Sequence, residues 1–230
     1  MYPDPMNTRF PLASTASLIA DPARAAMLSA LLDTRPRSAG ELARVANVSA
    51  QSASMHLSQL LTGGFLQARQ QGRYRYYRIA NRHIALAIEA LGAISLPANF
   101  KPATKDRDLC YARTCYDHLA GKLGVQLTEA LERKRVLVPC ADNEFEVTDE
   151  GEEFLSRWQI DVPSIRTSRR TFARRCLDWT ERRHHVAGAL GAAICKTFIE
   201  LHWILPNKHT RVVHLSSAGR SRLGCLLTLA

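Results

Sequence analysis

Cys115-Tyr116-Asp117-His118 sets a thiol and an imidazole three residues apart. At the head of a helix the two would share a face and could both ligate zinc or another thiophilic metal. Cys110, Cys176, His184 and His185 are candidates to complete such a shell. The same thiols admit a second chemistry. Cys176 lies among Arg174, Arg175, Arg182 and Arg183, and nearby cations favour the reactive thiolate, so Cys110, Cys115 or Cys176 could sense oxidation. Plainer readings stand beside both: cysteine is often simply buried, and His118 and His185 could share a repeated structural hydrogen bond. A third group of residues suits recognition of a polyanion. Ser49, Ala50, Gln51, Ser52, Ser54, His56 and Gln59 are small or polar side chains at helical spacing, and Arg69, Arg73 and Arg75 follow close behind.

The elements that must carry this third group are legible. "ADPARAAMLSALL" opens with Asp21 as an N-cap and Pro22 at the first helical position, then an apolar stripe at Met27, Leu28, Leu31 and Leu32. In "SAGELARVANVSAQSASMHLSQLL", Ser38 and Glu41 form a capping box and Leu42 and Val45 point inward. Asn47 takes a tight turn and Ser49 caps a second helix, anchored by Leu57, Leu60 and Leu61. Two short helices joined this way make a helix-turn-helix. Its second helix needs a small polar face to fit the major groove. His56 could read a base or brace the helix from behind. "FLQARQQGRYRYYRIA" alternates as a hairpin turning at Gln71-Gly72, its arginines placed to clamp phosphates. Tyr74, Tyr76 and Tyr77 suit sheet packing. The strongly apolar helix "RHIALAIEALGAI" suits a subunit interface, which a palindromic site requires.

On these segments, residues 12–95 resemble the winged-helix domain of the ArsR/SmtB family of bacterial transcription factors. The carrying stretches are "IADPARAAMLSALL", "SAGELARVANVSAQSASMHLSQL" and "GFLQARQQGRYRYYRIA". The resemblance implies a homodimeric, operator-binding regulator, usually a repressor released by an inducer. The departures matter. "AGELARVA" lacks the Cys-x-Cys pair of members that sense metal before the recognition helix. Asn81, His83 and Glu89 match the last-helix zinc ligands only raggedly. An effector would therefore be sensed in the remainder of the chain.

That remainder begins after "LPANFKPATKDRD", residues 96–108, whose proline and charge mark a linker. "HLAGKLGVQLTEALERKRVLVP" from His118 and "HVAGALGAAICKTFIELHWILP" from His185 are similar and equally long, and each precedes a hairpin and a closing helix. The expected fold is mostly α with small β hairpins (α+β): a winged helix-turn-helix over 1–95, then an effector domain over 109–230. That domain would hold two helix–hairpin–helix repeats, about 110–160 and 176–230, with a cleft at their junction as the ligand site. Some ArsR-like regulators of this length carry a similar C-terminal region. An organic effector stacked on Trp179 or Trp203 is an alternative to a thiophilic metal.

The net charge of +10 over 230 residues favours a nucleic-acid partner over an anionic membrane surface. No apolar run reaches membrane-span length, and "MYPDPMNTRF" lacks the order of a secretion signal. The expectation is a cytoplasmic protein whose six cysteines, all in the second half, are thiols. The basic run "RTSRRTFARRCLDWTERRHH" either adds phosphate contacts or pairs its arginines with Asp178 and Glu181. Asp117 with His118 could be imagined as an acid/base pair, yet no phosphate-binding glycine loop or nucleophile elbow is present. A double-stranded DNA operator, a second copy of the chain and a small-molecule or metal effector are the expected partners, with no catalytic role. An architectural DNA binder without an inducer would not need the long second half.

Overall fold

A computed structural model describes residues 12–95, 103 and 106–227, which divide into two compact units, Met1–Ile88 and Glu89–Ala230. The division falls inside a helix; most of the expected linker, 96–102 and 104–105, lies outside the described residues. Among the described residues no helix is long and apolar enough to cross a membrane.

In the first unit the chain runs α1 (Leu12–Ile19), α2 (Pro22–Leu31), β1 (Arg37–Ser38), α3 (Ala39–Ala46), α4 (Ala50–Thr62), β2 (Leu66–Gln71), β3 (Tyr74–Ile79) and α5 (Arg82–Ser95). Asp21 caps α2 by accepting from the Arg24 amide, and Pro22 takes the first turn, where its missing N–H costs nothing. Ser38 and Glu41 complete the capping box of α3. Asn47, at φ 53°, turns the chain in the left-handed region, and Ser49 caps α4 by accepting from the Ser52 amide. Met27, Leu28, Leu31, Leu42, Ala53, Leu57 and Leu60 bury the inner faces of the three helices. Val45 does not join them; it is 44% exposed. Strands β2 and β3 pair from Leu66↔Ile79 to Gln71↔Tyr74, and β1 adds to the other edge of β3. The wing therefore turns at Gly72-Arg73, one residue later than expected. Gly72 supplies the positive φ, 59°, at the first turn position, where a side chain would be strained. This first unit is a winged helix-turn-helix.

In the second unit come α6 (Arg107–Tyr111), β4 (Arg113–Cys115), β5 (His118–Ala120), α7 (Gly121–Arg133), β6 (Leu137–Cys140), β7 (Glu144–Val147) and α8 (Asp149–Ser156). After α9 (Val162–Arg166) the order hairpin, helix, hairpin, helix recurs as β8 (Arg174–Leu177), β9 (His184–Ala187), α10 (Gly188–Glu200), β10 (Ile204–Pro206), β11 (Val213–Leu215) and α11 (Ser217–Leu227). Each stretch is thus led by a hairpin where the sequence suggested the head of a helix. Strands β6–β9 form one sheet in chain order. Elsewhere in the unit β4 meets the start of β11: the Thr114 amide donates to the Arg211 carbonyl at 2.9 Å and the Val213 amide to the Ala112 carbonyl at 3.1 Å. The second hairpin of each stretch therefore lies beside the leading hairpin of the other.

The closing helices start alike. Thr148 Oγ1 accepts from the Gly151 amide and donates to the Arg135 carbonyl; Ser216 Oγ accepts from the Gly219 amide and donates to the His202 carbonyl. Leu123, Leu127 and Leu131 of α7 and Leu190, Ile194 and Phe198 of α10 enter one apolar core with Phe145, Leu155, Ile204 and Leu223. Trp203 packs into it, its ring centroid 5.0 Å from Phe198 and 6.1 Å from Trp158. Trp179 lies under the Arg113 guanidinium at 4.1 Å. Both tryptophans are half-buried.

Candidate functional sites: a polar helix with a basic wing, and a buried cysteine–histidine cluster

Helix α4 turns Ala53, Leu57 and Leu60 to the core and leaves Ala50, Gln51, Ser54, Met55, Ser58 and Gln59 exposed. Its first turn is tied down by short bonds: Ser49 Oγ to Ser52 Oγ at 3.0 Å, and Ser54 Oγ to the Ala50 carbonyl at 3.0 Å. Gln51 stands exposed beside them, with Met55 one turn on and 53% exposed. A methionine at helical spacing reads equally well as core, so nothing in the chain itself marks Met55 as exposed.

His56 is only 8% exposed and presents little of its ring to the outer face of the helix. Its Nδ1 lies 3.4 Å from Arg24 Nη1 and 3.7 Å from Asp21 Oδ1, so it braces the helix from behind. Gln59 is engaged as well: its Oε1 accepts from Arg24, which also donates to the Ser17 and Leu18 carbonyls. Arg24 thus holds α1, α2 and α4 together, and Gln59 serves that contact first.

On the wing, Arg69, Arg73, Arg75 and Arg78 are all exposed. Arg73 lies over the Tyr74 ring at 5.2 Å and Arg75 over Tyr77 at 5.6 Å, contacts that stiffen two long cationic side chains. Tyr77 is buried, as packing requires, whereas Tyr74 is 50% exposed. No acidic residue occurs between Glu41 and Glu89. Helix α4 itself carries no lysine or arginine, and the positive charge beside it is that of the wing.

The second site lies inside the second unit. Cys115 and His118 are direct partners across β4 and β5; Cys176 and His185 are direct partners across β8 and β9. One ligand-type atom from each of the four falls within 4.8 Å of all the others, and all four residues are buried. The imidazole Nε2 atoms are 3.1 Å apart and the Sγ atoms 4.0 Å apart. Cys110 is buried but is not one of the four, and His184 turns instead toward Arg175. Among the remaining thiols, burial pushes Cys195 up to about 12.

Each histidine is backed by a carboxylate. His118 Nδ1 lies 3.3 Å from Asp117 Oδ1. His185 Nδ1 lies 3.2 Å from Asp178 Oδ2, off the line of an ideal hydrogen bond. Asp117 is paired with Arg170 at 2.7 Å. Asp178, wholly buried, takes both oxygens' worth of Arg113 Nη2 at 2.9 Å and accepts from the Gly121 and Thr180 amides at 2.7 and 2.9 Å. Burial works against its charge, but His185 and Arg113 overcome it and hold the carboxyl well below the usual range. The Cys115 hydrogen bond, then His118 and His185, favour the Cys176 thiolate against its burial, and the same contact and burial keep Cys115 protonated. Burial opposes the His185 charge, yet Asp178 and Cys176 raise its pKa to about 9.

Glycines let the two leading hairpins meet. A Cβ at Gly191 would lie 3.3 Å from the Cβ of His118, and one at Gly124 3.7 Å from that of His185. Helix α10 thus makes room for the first histidine and α7 for the second. A signal for this arrangement is present in the chain: Arg113-x-Cys115-x-Asp117 and Arg174-x-Cys176-x-Asp178 share a pattern, with His118 and His185 following after unequal turns. The six additional residues of the second turn hide the match from a search for equal spacing.

Compared with known proteins, residues 19–67 match a helix-turn-helix domain family. The chain is 43% identical over 212 residues to the HTH-type transcriptional regulator YdfF of Bacillus subtilis (strain 168), covering 91% of this chain and 93% of that protein. Solved structures with local similarity include the homodimeric winged helix-turn-helix DNA-binding domain of Mb0332 from Mycobacterium bovis, at 26% identity over 36% of this chain and 77% of that one, TM-score 0.35. Another is the cadmium sensor CmtR from Mycobacterium tuberculosis, at 32% identity over 40% and 96%, TM-score 0.32.

Proposed function

Since the chain belongs to the HTH-type transcriptional regulators, with near full-length similarity to one of them, we propose that it is an ArsR-like homodimeric repressor released from its operator by an effector sensed in the second unit. The observation that carries the DNA reading is the pairing of an exposed, small-residue face on α4 with a wing of four exposed arginines, in a stretch without one acidic residue. A helix with Ala50, Ser52 and Ser54 on its outer turns can approach base edges closely. Gln51 is the direct reader, since its amide can donate and accept at an adenine edge. Met55 offers apolar contact to a thymine methyl. Ser49 and Ser54 position the first turn, and Arg69, Arg73 and Arg75 contact phosphates, which fix register without carrying sequence information.

Dimerisation is supported by α5, whose Leu91 and Ile94 are 39% and 75% exposed; covering them with a second copy would remove apolar surface from water. In the second unit we read β4–α8 and β8–α11 as a duplicated element around a pseudo-twofold, supported by the matched leading hairpins, the matched Thr148 and Ser216 caps and the matched glycines. A signal at the centre of that duplication alters operator affinity by favouring one of two dimer arrangements, which changes the spacing of the two reading helices.

The test is fluorescence anisotropy of the reduced, full-length protein on DNA from upstream of its own gene, across a salt series. Specific binding that weakens steeply with salt is expected; equal affinity for that DNA and scrambled DNA overturns the proposal. Gln51→Ala should lose about 1–3 kcal/mol of preference for the operator over a variant at the contacted base. Arg73→Ala should weaken all sequences alike and reduce the salt slope by about 1.

A further inference from the structure

We infer that Cys115, His118, Cys176 and His185 form a closed, four-coordinate site for a thiophilic divalent cation of the zinc type, with Asp117 and Asp178 as its outer carboxylates. The lone pairs carry the case. A carboxylate oxygen stands beside each Nδ1, on the outer side of the ring, and the two Nε2 atoms are turned to the interior, 3.1 Å from one another. Two inward lone pairs at that distance repel unless a proton or a cation lies between them. Carboxylate-backed histidines are the usual way in which metal-ligating imidazoles are oriented.

The distances agree with a tetrahedron. Metal–nitrogen bonds of about 2.0–2.1 Å and metal–sulfur bonds of about 2.3 Å give edges of about 3.3 Å between nitrogens and about 3.8 Å between sulfurs. The observed like-atom separations are 3.1 and 4.0 Å; the mixed nitrogen–sulfur separations are at most 4.8 Å, so some draw in when an ion binds. Two thiolates and two imidazoles suit zinc and softer divalent ions, and disfavour magnesium or calcium, which prefer oxygen. Complete burial leaves no coordination position for water or substrate, which is the pattern of a structural or regulatory site and not of a catalytic one. Each leading hairpin supplies one cysteine and one histidine, so a bound ion joins the two stretches of the unit at their centre. That this ion is also the effector rests on the regulator reading above; occupancy itself does not.

The full-length protein, reduced and stripped with a chelator, is titrated with Co2+ and then with Zn2+ against a chromophoric competitor. One equivalent per chain is expected, with the visible ligand-field bands of tetrahedral cobalt and thiolate charge transfer, both abolished by one equivalent of zinc. Octahedral cobalt without thiolate bands in the unaltered protein overturns the site and needs no variant. Asp117→Asn should weaken zinc by roughly 10–100-fold, and Cys115→Ser or His185→Gln by more, whereas Cys110→Ser should still bind one equivalent. Retention of wild-type affinity in Cys115→Ser also overturns it. Operator anisotropy with and without zinc is read separately: a change in affinity supports zinc as the signal, no change overturns that role while the spectrum decides the site, and no operator binding in either state overturns the regulator reading instead.

Discussion

Asp178→Asn is expected to destabilise the second unit by about 3–5 kcal/mol, the cost of leaving a buried charge without its partner. Arg113 and Asp178 are both wholly inaccessible to solvent and meet through Nη2 at 2.9 Å to each carboxylate oxygen. The asparagine keeps the shape and the acceptor for the Thr180 amide, but not the negative charge. The guanidinium would keep the asparagine carbonyl, the Leu109 carbonyl, the Thr180 hydroxyl and the Trp179 ring, all of them neutral partners. Guanidinium unfolding monitored by tryptophan fluorescence measures the loss. Glu153→Gln is the control, because the Arg157–Glu153 pair is largely exposed on one helix face and should leave the midpoint unchanged. A loss below about 1 kcal/mol for Asp178→Asn would mean that water reaches Arg113.

Gly191→Ala is the second large effect. The added methyl would stand 2.4 Å from the Val186 carbonyl oxygen, a backbone atom that cannot rotate away, and 3.3 Å from the Cβ of His118. Helix α10 must move off β9, which we expect to cost about 3 kcal/mol, at the upper end for overpacking a core. The same shift displaces His118, so zinc affinity should fall together with stability. Gly92→Ala is the matched control, since a methyl there meets nothing within 4 Å. Equal unfolding midpoints for the two variants would show that α10 is less tightly seated than its contacts imply.

How much of this was legible beforehand follows from the range of the interactions. The capping box at Ser38 and Glu41, the left-handed Asn47 and the caps at Asp21 and Ser49 are all local, completed within a few residues, and each is found where its residues predict it; the wing hairpin is found too, its turn one residue later than expected. Val45 fails for a related reason: helical periodicity gives a face but not its width, and the short α3 buries only Leu42 and Ala43. His56 could be read from its spacing either as a reader or as a brace; the Arg24 and Asp21 side chains around its ring, which favour the brace, come from another helix and from its cap, beyond the reach of local spacing.

For the second unit, the residue types forecast the chemistry but not the geometry. Cys115 and His118 were expected on one helix face; they are in fact cross-strand neighbours at a tight hairpin, with Tyr116 in the left-handed region at φ 59°. A four-residue segment of this kind has no periodicity by which a helix and a hairpin can be told apart. Cys110 was an equal candidate in the chain and lies elsewhere in the fold.

By itself, then, the amino-acid order determined the winged helix-turn-helix, its basic wing and the set of thiols and imidazoles available, because capping, turn conformation and side-chain alternation depend on near neighbours. Only the tertiary structure decided that Cys115 and His118 meet Cys176 and His185. That meeting joins residues some sixty positions apart, and depends on where two glycine-floored hairpins pack, which no local preference encodes.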